Sequence, residues 1–326
     1  MRVTAAGSLP GDDFRGALNA MTEALPEVMP LPELPARGVG SDMVGRALGV
    51  IDELGFDLQP AGWRLTTASG ADHRRAKAQW RRDLDDAEEL LAGFQGVVKI
   101  GLAGPWTLAA AVERPTGDRL LADHGARREL SQALTEAWHR LAADLRRRLP
   151  ASQILLQVDE PALLAVAHGE VPTASGFSRH RKVSAAEIAE ALRLLAPDAW
   201  LHCCAPGDWL DLAAQAGFQV AAIDTRNFQE PRCLDALATW AQEGRGLVAG
   251  VVDTSRHRSQ SADELVAEAL RVLRPLELSQ RALEQQILLG TACGMAGWPQ
   301  RSVTPQLTAL RGAAPLVAEA LAQQRR

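Results

Sequence analysis

Short apolar runs alternate with longer amphipathic stretches along almost the whole chain, and few architectures accept such an alternation. The apolar runs read as strands are Val3–Ala6, Val97–Leu102, Ile154–Val158, Trp200–Cys203, Val220–Ile223, Leu247–Val251 and Ile287–Gly290, with a weaker one at Gly62–Leu65. Between them, helical periodicity marks Gln79–Leu91, Arg127–Leu149, Ala185–Leu195, Asp208–Gln215, Cys233–Glu243, Ala262–Leu273 and Pro305–Ala322. Roughly eight strands, each followed by a helix, is the count that closes a (β/α)8 barrel. An open doubly wound sheet is the alternative, disfavoured because no glycine-rich phosphate fingerprint follows the first strand. A chain of 326 residues suits one such barrel spanning 1–326. The Pro-rich Pro26–Gly40 stretch and Pro172–Arg181 read as long loops, placed to act as lids or as plain connections.

Composition narrows the function. A net charge of -5, with acids and bases interspersed, offers no basic stripe for nucleic acid. No apolar run reaches the ~20 residues that span a bilayer, and the first residues lack a signal peptide's apolar segment, so the start reads as native. Four cysteines (Cys203, Cys204, Cys233 and Cys293) are too few for a disulfide scaffold of this length. They point to a reducing cytoplasm, where clustered cysteines serve as metal ligands or nucleophiles.

Chemistry collects where the strands end. Gly7-Ser8, Gly104-Pro105-Trp106-Thr107, Asp159-Glu160-Pro161, His202-Cys203-Cys204, Asp224-Thr225, Asp253-Thr254 and Cys293-Gly294 all follow apolar runs. In a barrel these positions share the C-terminal face, where active sites are built. On an extended segment His202 and Cys204 point the same way and Cys203 the opposite way, into the shell between barrel and helices. With Cys293 they supply one imidazole and two thiolates, a donor set for Zn2+, with Asp224 or an exogenous thiol as fourth ligand. Each cysteine taken alone reads as a small buried hydrophobe; the shared strand-end placement reverses that reading. Zinc deprotonates a bound thiol at neutral pH, and thiolate-rich ligation suits alkyl transfer to sulfur better than water activation. Asp159 and Glu160 diverge, so one can face the mouth and meet a substrate ammonium while the other is held by its neighbours. Asp253 reads equally as an orienting carboxylate or as the cap of the next segment.

At these residues the sequence resembles the cobalamin-independent methionine synthase family, in its C-terminal catalytic barrel. The shared motifs run from GSLP near the start through SDMVGR at Ser41–Arg46, GPWT, QVDEPAL at Gln157–Leu163, HCC, AAIDT and GVVD to CGMAGW. QVDEPAL with H-x-C and a late C-G is the specific part; GPWT and GVVD are weak alone. The large N-terminal barrel of the full-length enzymes has no counterpart in this sequence. The resemblance implies zinc ligation by His202, Cys204 and Cys293, with the family's glutamate ligand falling on Asp224, one methylene shorter. It implies homocysteine binding by Ser8 and Asp159, and by Glu33 in place of a glutamate that lacks a clean match. The family's catalytic histidine falls on Ser255, with His257 two residues later, so the implied catalytic pair is Asp253 and Ser255.

Two folate-contacting positions of the family, a tryptophan and a glutamate, fall on Ala111 and Ala165, and an arginine–cysteine pair has no match in Leu58–Ala71. The expected activity is therefore zinc-dependent methylation of homocysteine to methionine; the donor is open between methylfolate and methylcobalamin or a corrinoid protein, and the lost contacts speak against polyglutamyl methylfolate bound in the usual manner. The rivals are an alkyltransferase acting on another thiol such as coenzyme M, a related non-metal decarboxylase, and a degenerate zinc- or thiol-binding barrel without catalysis. Cys233 is expected to be structural. Trp106 and Trp298 belong in the core or at the mouth, and His73, His124, His139, His168 and His180 are expected to face solvent, as are Arg179, Arg181 and Lys182.

Overall fold

In the computed structural model, which describes residues 1–323, eight parallel strands form one sheet. The strands of the chain are β1 (Arg2–Val3), β2 (Val28–Pro30), β3 (Gly55–Gln59), β4 (Gly62–Thr66), β5 (Val97–Ala103), β6 (Gln153–Asp159), β7 (Ala199–Cys203), β8 (Val220–Asp224), β9 (Gly246–Val252) and β10 (Ile287–Thr291). The order β1-β10-β9-β8-β7-β6-β5-β2 leaves β1 and β2 at the two edges. Just beyond their ends the edges meet: Glu33 donates its N–H to Gly7 at 3.0 Å and Leu9 donates to Glu33 at 2.8 Å, a parallel bridge that closes the barrel. The fold is a single-domain (β/α)8 barrel.

The six strands from β5 to β10 lie where the apolar runs place them. The second barrel strand does not. Gly62–Leu65 belongs to an antiparallel hairpin of β3 and β4, outside the barrel, and the barrel strand is Val28–Pro30, inside the stretch read as a loop. That strand has only three residues and ends in proline, so it carries no alternation to recognise. It still bonds fully to β5, from Val28 beside Val97 to Pro30 beside Lys99.

Side chains alternate between two environments. Outward residues such as Ile100, Leu156, Leu201, Cys203 and Ile223 join the large core between sheet and helices. Inward, Val28, Ala222, Val248 and Leu288 pack together, flanked by Val97, Trp200 and Val220, and plug the barrel's lower half. Above them sits a buried lysine. Lys99 donates to the Ala5 carbonyl at 2.7 Å and to the Gln157 side chain, with its ammonium 5.8 Å from the Trp200 ring centre. The residues above this layer form the floor of the mouth.

Two of the histidines expected in solvent are buried. His73 donates through Nε2 to the Leu48 carbonyl at 2.9 Å and packs edge-on against Phe56, while His180 pairs with Asp118 at 3.1 Å. Cys233 is buried in the core, and Trp106 and Trp298 are buried with their indole N–H groups bonded to the Ile188 and Thr254 carbonyls.

Candidate active site

At the C-terminal ends of the strands lies a cavity of about 370 Å³. Its polar lining comes from Ser8, Glu33, Asp159, His202, Cys204 and Cys293, six residues from five separate strand ends. His202, Cys204 and Cys293 converge most closely: their candidate ligand atoms all lie within 4.8 Å of one another, and the two sulfurs are 3.2 Å apart. A hydrogen bond between the sulfurs holds Cys293 well below the usual thiol range and pushes Cys204 above it, so the pair shares one proton. Cys203, one residue away, faces the outer core, where burial pushes its thiol up to about 12. Adjacent cysteines thus face opposite sides of the sheet, one in the core and one in the cavity, as strand alternation requires.

The imidazole is oriented for a metal. His202 Nδ1 lies 3.1 Å from the Ala222 carbonyl and must donate to it, whereas Nε2 is buried with no partner. A buried lone pair without a donor is costly unless a ligand takes it, and histidine ligands commonly tether their other nitrogen in this way. With two soft sulfurs beside it, the set fits zinc.

Behind the metal-type trio is a polar relay. Gln157 donates to Asp159 Oδ1 at 2.7 Å and accepts from Lys99, linking the buried cation to the cavity carboxylate. Burial pushes Asp159 up to about 6 and Lys99 down to about 7, and each opposes the other's shift. Gly101 faces Asp159 from β5, and a Cβ there would lie 2.9 Å from Oδ2. Beyond β5, at the end of β2, withdrawal from water pushes Glu33 up to about 7, partly offset by Arg46 and Ser8. Arg46 is fully buried, stacked 4.4 Å over the Trp80 ring and bonded to the Pro32 carbonyl at 2.5 Å. Gly294 fits under Ser8, since a Cβ there would come within 2.6 Å of the serine Cβ.

Glu160 turns away from the cavity and holds its wall. Its carboxylate accepts from Trp106 N at 2.9 Å, Thr107 N at 2.7 Å and the Thr107 hydroxyl at 2.6 Å, satisfying the free N–H groups that open the helix Pro105–Ala111. Gly104 leaves room for it: a Cβ there would sit 2.4 Å from Oε1.

Not every sequence candidate reaches the cavity. Asp224 is buried but outside the trio, because both its oxygens are taken by Arg226, at 2.9 Å from Nε and 2.5 Å from Nη2. Asp253 and Ser255 do not line the main cavity: Asp253 lines a separate space of about 400 Å³ with Arg226 and Gln260, and Ser255 donates to Asp253 at 2.6 Å. His257, in the left-handed region at φ 50°, sets its ring against Gly297 on the rim of the main cavity; a Cβ on Gly297 would be 2.8 Å from its Cε1. Lys99 and Arg226 escaped the sequence reading, and Arg46 and Gln157 entered it only as motif members without a role. Lys99 left one trace, a lysine at an inward position of an otherwise apolar strand.

A solved structure of a B12-independent methionine synthase from Shewanella sp. W3-18-1, in complex with selenomethionine, superposes with a TM-score of 0.64. It is 13% identical, and the match covers 98% of each chain, which shows a common fold. A GH20 beta-N-acetylhexosaminidase from Streptomyces coelicolor A3(2) matches over 71% of this chain and 60% of its own, at 10% identity and a TM-score of 0.32, too low to carry an argument. No curated protein matches the chain. The family model described as "Cobalamin-independent synthase, Catalytic domain" matches residues 102–315. That span holds Asp159, His202, Cys204 and Cys293 and exceeds half of the sequence, so the chain belongs to the cobalamin-independent methionine synthase family, in its catalytic domain.

Proposed function

We propose that this barrel methylates the sulfur of homocysteine to give methionine, with zinc held by His202, Cys204 and Cys293. The observation that carries the reading is the convergence of these three side chains within 4.8 Å on the floor of a cavity walled by two carboxylates. Bound there, zinc would supply the charge that keeps a substrate thiol ionised at neutral pH. The protein's own residues then do the positioning. His202, tethered through Nδ1, offers Nε2 in a fixed direction. Asp159 and Glu33 both line the cavity, from strand ends that flank β5, and are suited to hold an α-ammonium, with Ser8 beside Glu33. Neither lysine nor arginine lines the cavity, which favours an amino-acid thiol over a sulfonate such as coenzyme M. Asp253, Ser255 and Arg226 are joined by hydrogen bonds and hold the turn that carries His257 to the rim.

The donor in this reading is methylcobalamin or a corrinoid protein, because Ala111 and Ala165 present no group to a folate and neither lines the cavity. A compartment that keeps Cys204 and Cys293 reduced, the cytoplasm, completes the reading. Among the described residues no helix is long and apolar enough to cross a membrane. The test is methylation of homocysteine by the zinc-loaded protein against a panel of methylcobalamin, methylated corrinoid protein and methyltetrahydrofolate. Turnover with a corrinoid donor supports the proposal. Turnover with methyltetrahydrofolate alone overturns the donor assignment, and no methionine from any donor overturns the function.

The cavity carboxylates also set a pH dependence. Glu33 has a raised pKa, so its charged form prevails only above about 7 and is lost as pH falls through that value. An ammonium needs the charged form, so KM for homocysteine is expected to rise roughly tenfold from pH 8 to pH 6, since one unit of pKa corresponds to a factor of ten. In Glu33→Gln that rise should flatten, with KM high throughout. An unchanged slope in the variant removes Glu33 from the ammonium site.

A further inference from the structure

We propose that Arg226 keeps Asp224 off the metal, so that the resting site has three protein ligands and its fourth position stays free for the substrate thiol; this rests on the zinc reading above. Strand register places Asp224 where a ligand would be expected. Cys203 pairs with Ile223 across β7 and β8, so the next positions, Cys204 and Asp224, lie side by side. Alternation turns both inward, as it does His202 and Ala222. Asp224 is buried there.

Its oxygens are nevertheless spent. Oδ1 accepts from Arg226 Nε at 2.9 Å and from the Arg226 backbone N at 3.0 Å, and Oδ2 accepts from Nη2 at 2.5 Å. Such a two-pronged pair is among the strongest charge-assisted contacts a carboxylate makes. The guanidinium is pinned in turn, because Nη1 donates to Asp253 and to the Ser255 hydroxyl at 2.6 Å. The turn Thr225–Asn227 that carries Arg226 is tied to the metal side through Asn227, whose amide donates to the Cys204 carbonyl at 3.0 Å. Ligation by Asp224 would disrupt this two-pronged pair and leave the arginine leaning on Asp253 and Ser255. Three protein ligands with an open position is the arrangement of zinc sites that bind substrate, whereas four protein ligands close the site. Arg226 is thus a positioning residue that decides which kind of site the chain builds.

The test measures zinc affinity by competition with a chromophoric chelator, together with the visible bands of the cobalt-substituted protein. Asp224→Asn, isosteric and still able to accept from Arg226, should leave zinc Kd within about threefold of native and the cobalt bands unmoved. Arg226→Met should free Asp224 and tighten zinc about tenfold, the size expected for a change next to a metal ligand. That gain should vanish in the double variant. A loss of about tenfold or more in Asp224→Asn, or no tightening in a folded Arg226→Met, overturns the proposal. Because the readout is zinc affinity, the outcome is independent of methyl transfer. Stoichiometric zinc retained in Cys204→Ser and Cys293→Ser would instead refute the metal site itself.

Discussion

Cys204→Ser and Cys293→Ser are each expected to lose bound zinc and to lower methyl transfer by about 10³-fold or more, whereas Cys203→Ser keeps its zinc. The contrast follows from geometry. The Cys204 and Cys293 sulfurs are 3.2 Å apart and within 4.8 Å of the free His202 nitrogen, while Cys203 lies in the outer core. In the proposed three-ligand site no spare donor replaces a missing thiolate, since Asp224 is bound to Arg226. A serine hydroxyl has neither the acidity nor the softness to substitute. The checks are metal content after dialysis and initial rates on the same preparations. Zinc retained at one equivalent in either variant, or lost in Cys203→Ser with the fold intact, would reverse the assignment of inward and outward cysteines.

The largest effect on stability is expected at Glu160. Glu160→Ala removes the acceptor for two backbone N–H groups and the Thr107 hydroxyl, all buried, and leaves a hole at the junction of β6 and the helix Pro105–Ala111. Unsatisfied buried donors cost about 1–3 kcal/mol each when nothing relaxes, but burying the carboxylate is itself unfavourable and its pKa is pushed up to about 7. The net loss expected is therefore about 3 kcal/mol, read from the shift in urea midpoint at constant slope. Glu160→Gln, which keeps one acceptor oxygen, should lose about 1 kcal/mol. Because Asp159 is the preceding residue, the last of β6, the alanine variant should also weaken homocysteine binding. A loss below about 1 kcal/mol for Glu160→Ala would mean that water replaces the carboxylate and that Glu160 does not anchor this wall.

Much of this was legible because strands impose a period of two. His202 and Cys204, two apart at the end of an apolar run, had to share a face, and Cys203 had to leave it. A late cysteine after another apolar run then completed the trio, since all strand ends of a barrel meet on one side. The same logic brought Asp159 to the cavity, and the resemblance brought Ser8 and Glu33. It failed where structure is set by partners rather than by pattern. Val28–Pro30 is a strand only because β5 offers it a ladder, and Gly62–Leu65, with better alternation, pairs locally with β3 instead. Arg226 sits in a short turn without periodicity, so nothing in the sequence announces that it grips Asp224, Asp253 and Ser255 at once. His73 opens a strongly charged helix, which suggests solvent, yet it falls on the buried face of that helix.

X-ray absorption at the zinc edge, recorded with and without saturating homocysteine, tests the central claim most directly. Without substrate, two sulfurs and one imidazole nitrogen are expected from Cys204, Cys293 and His202, with a light atom completing the shell. With homocysteine, a third sulfur should replace the light atom. A sulfur count that stays at two would contradict the proposal that this site activates the substrate thiol.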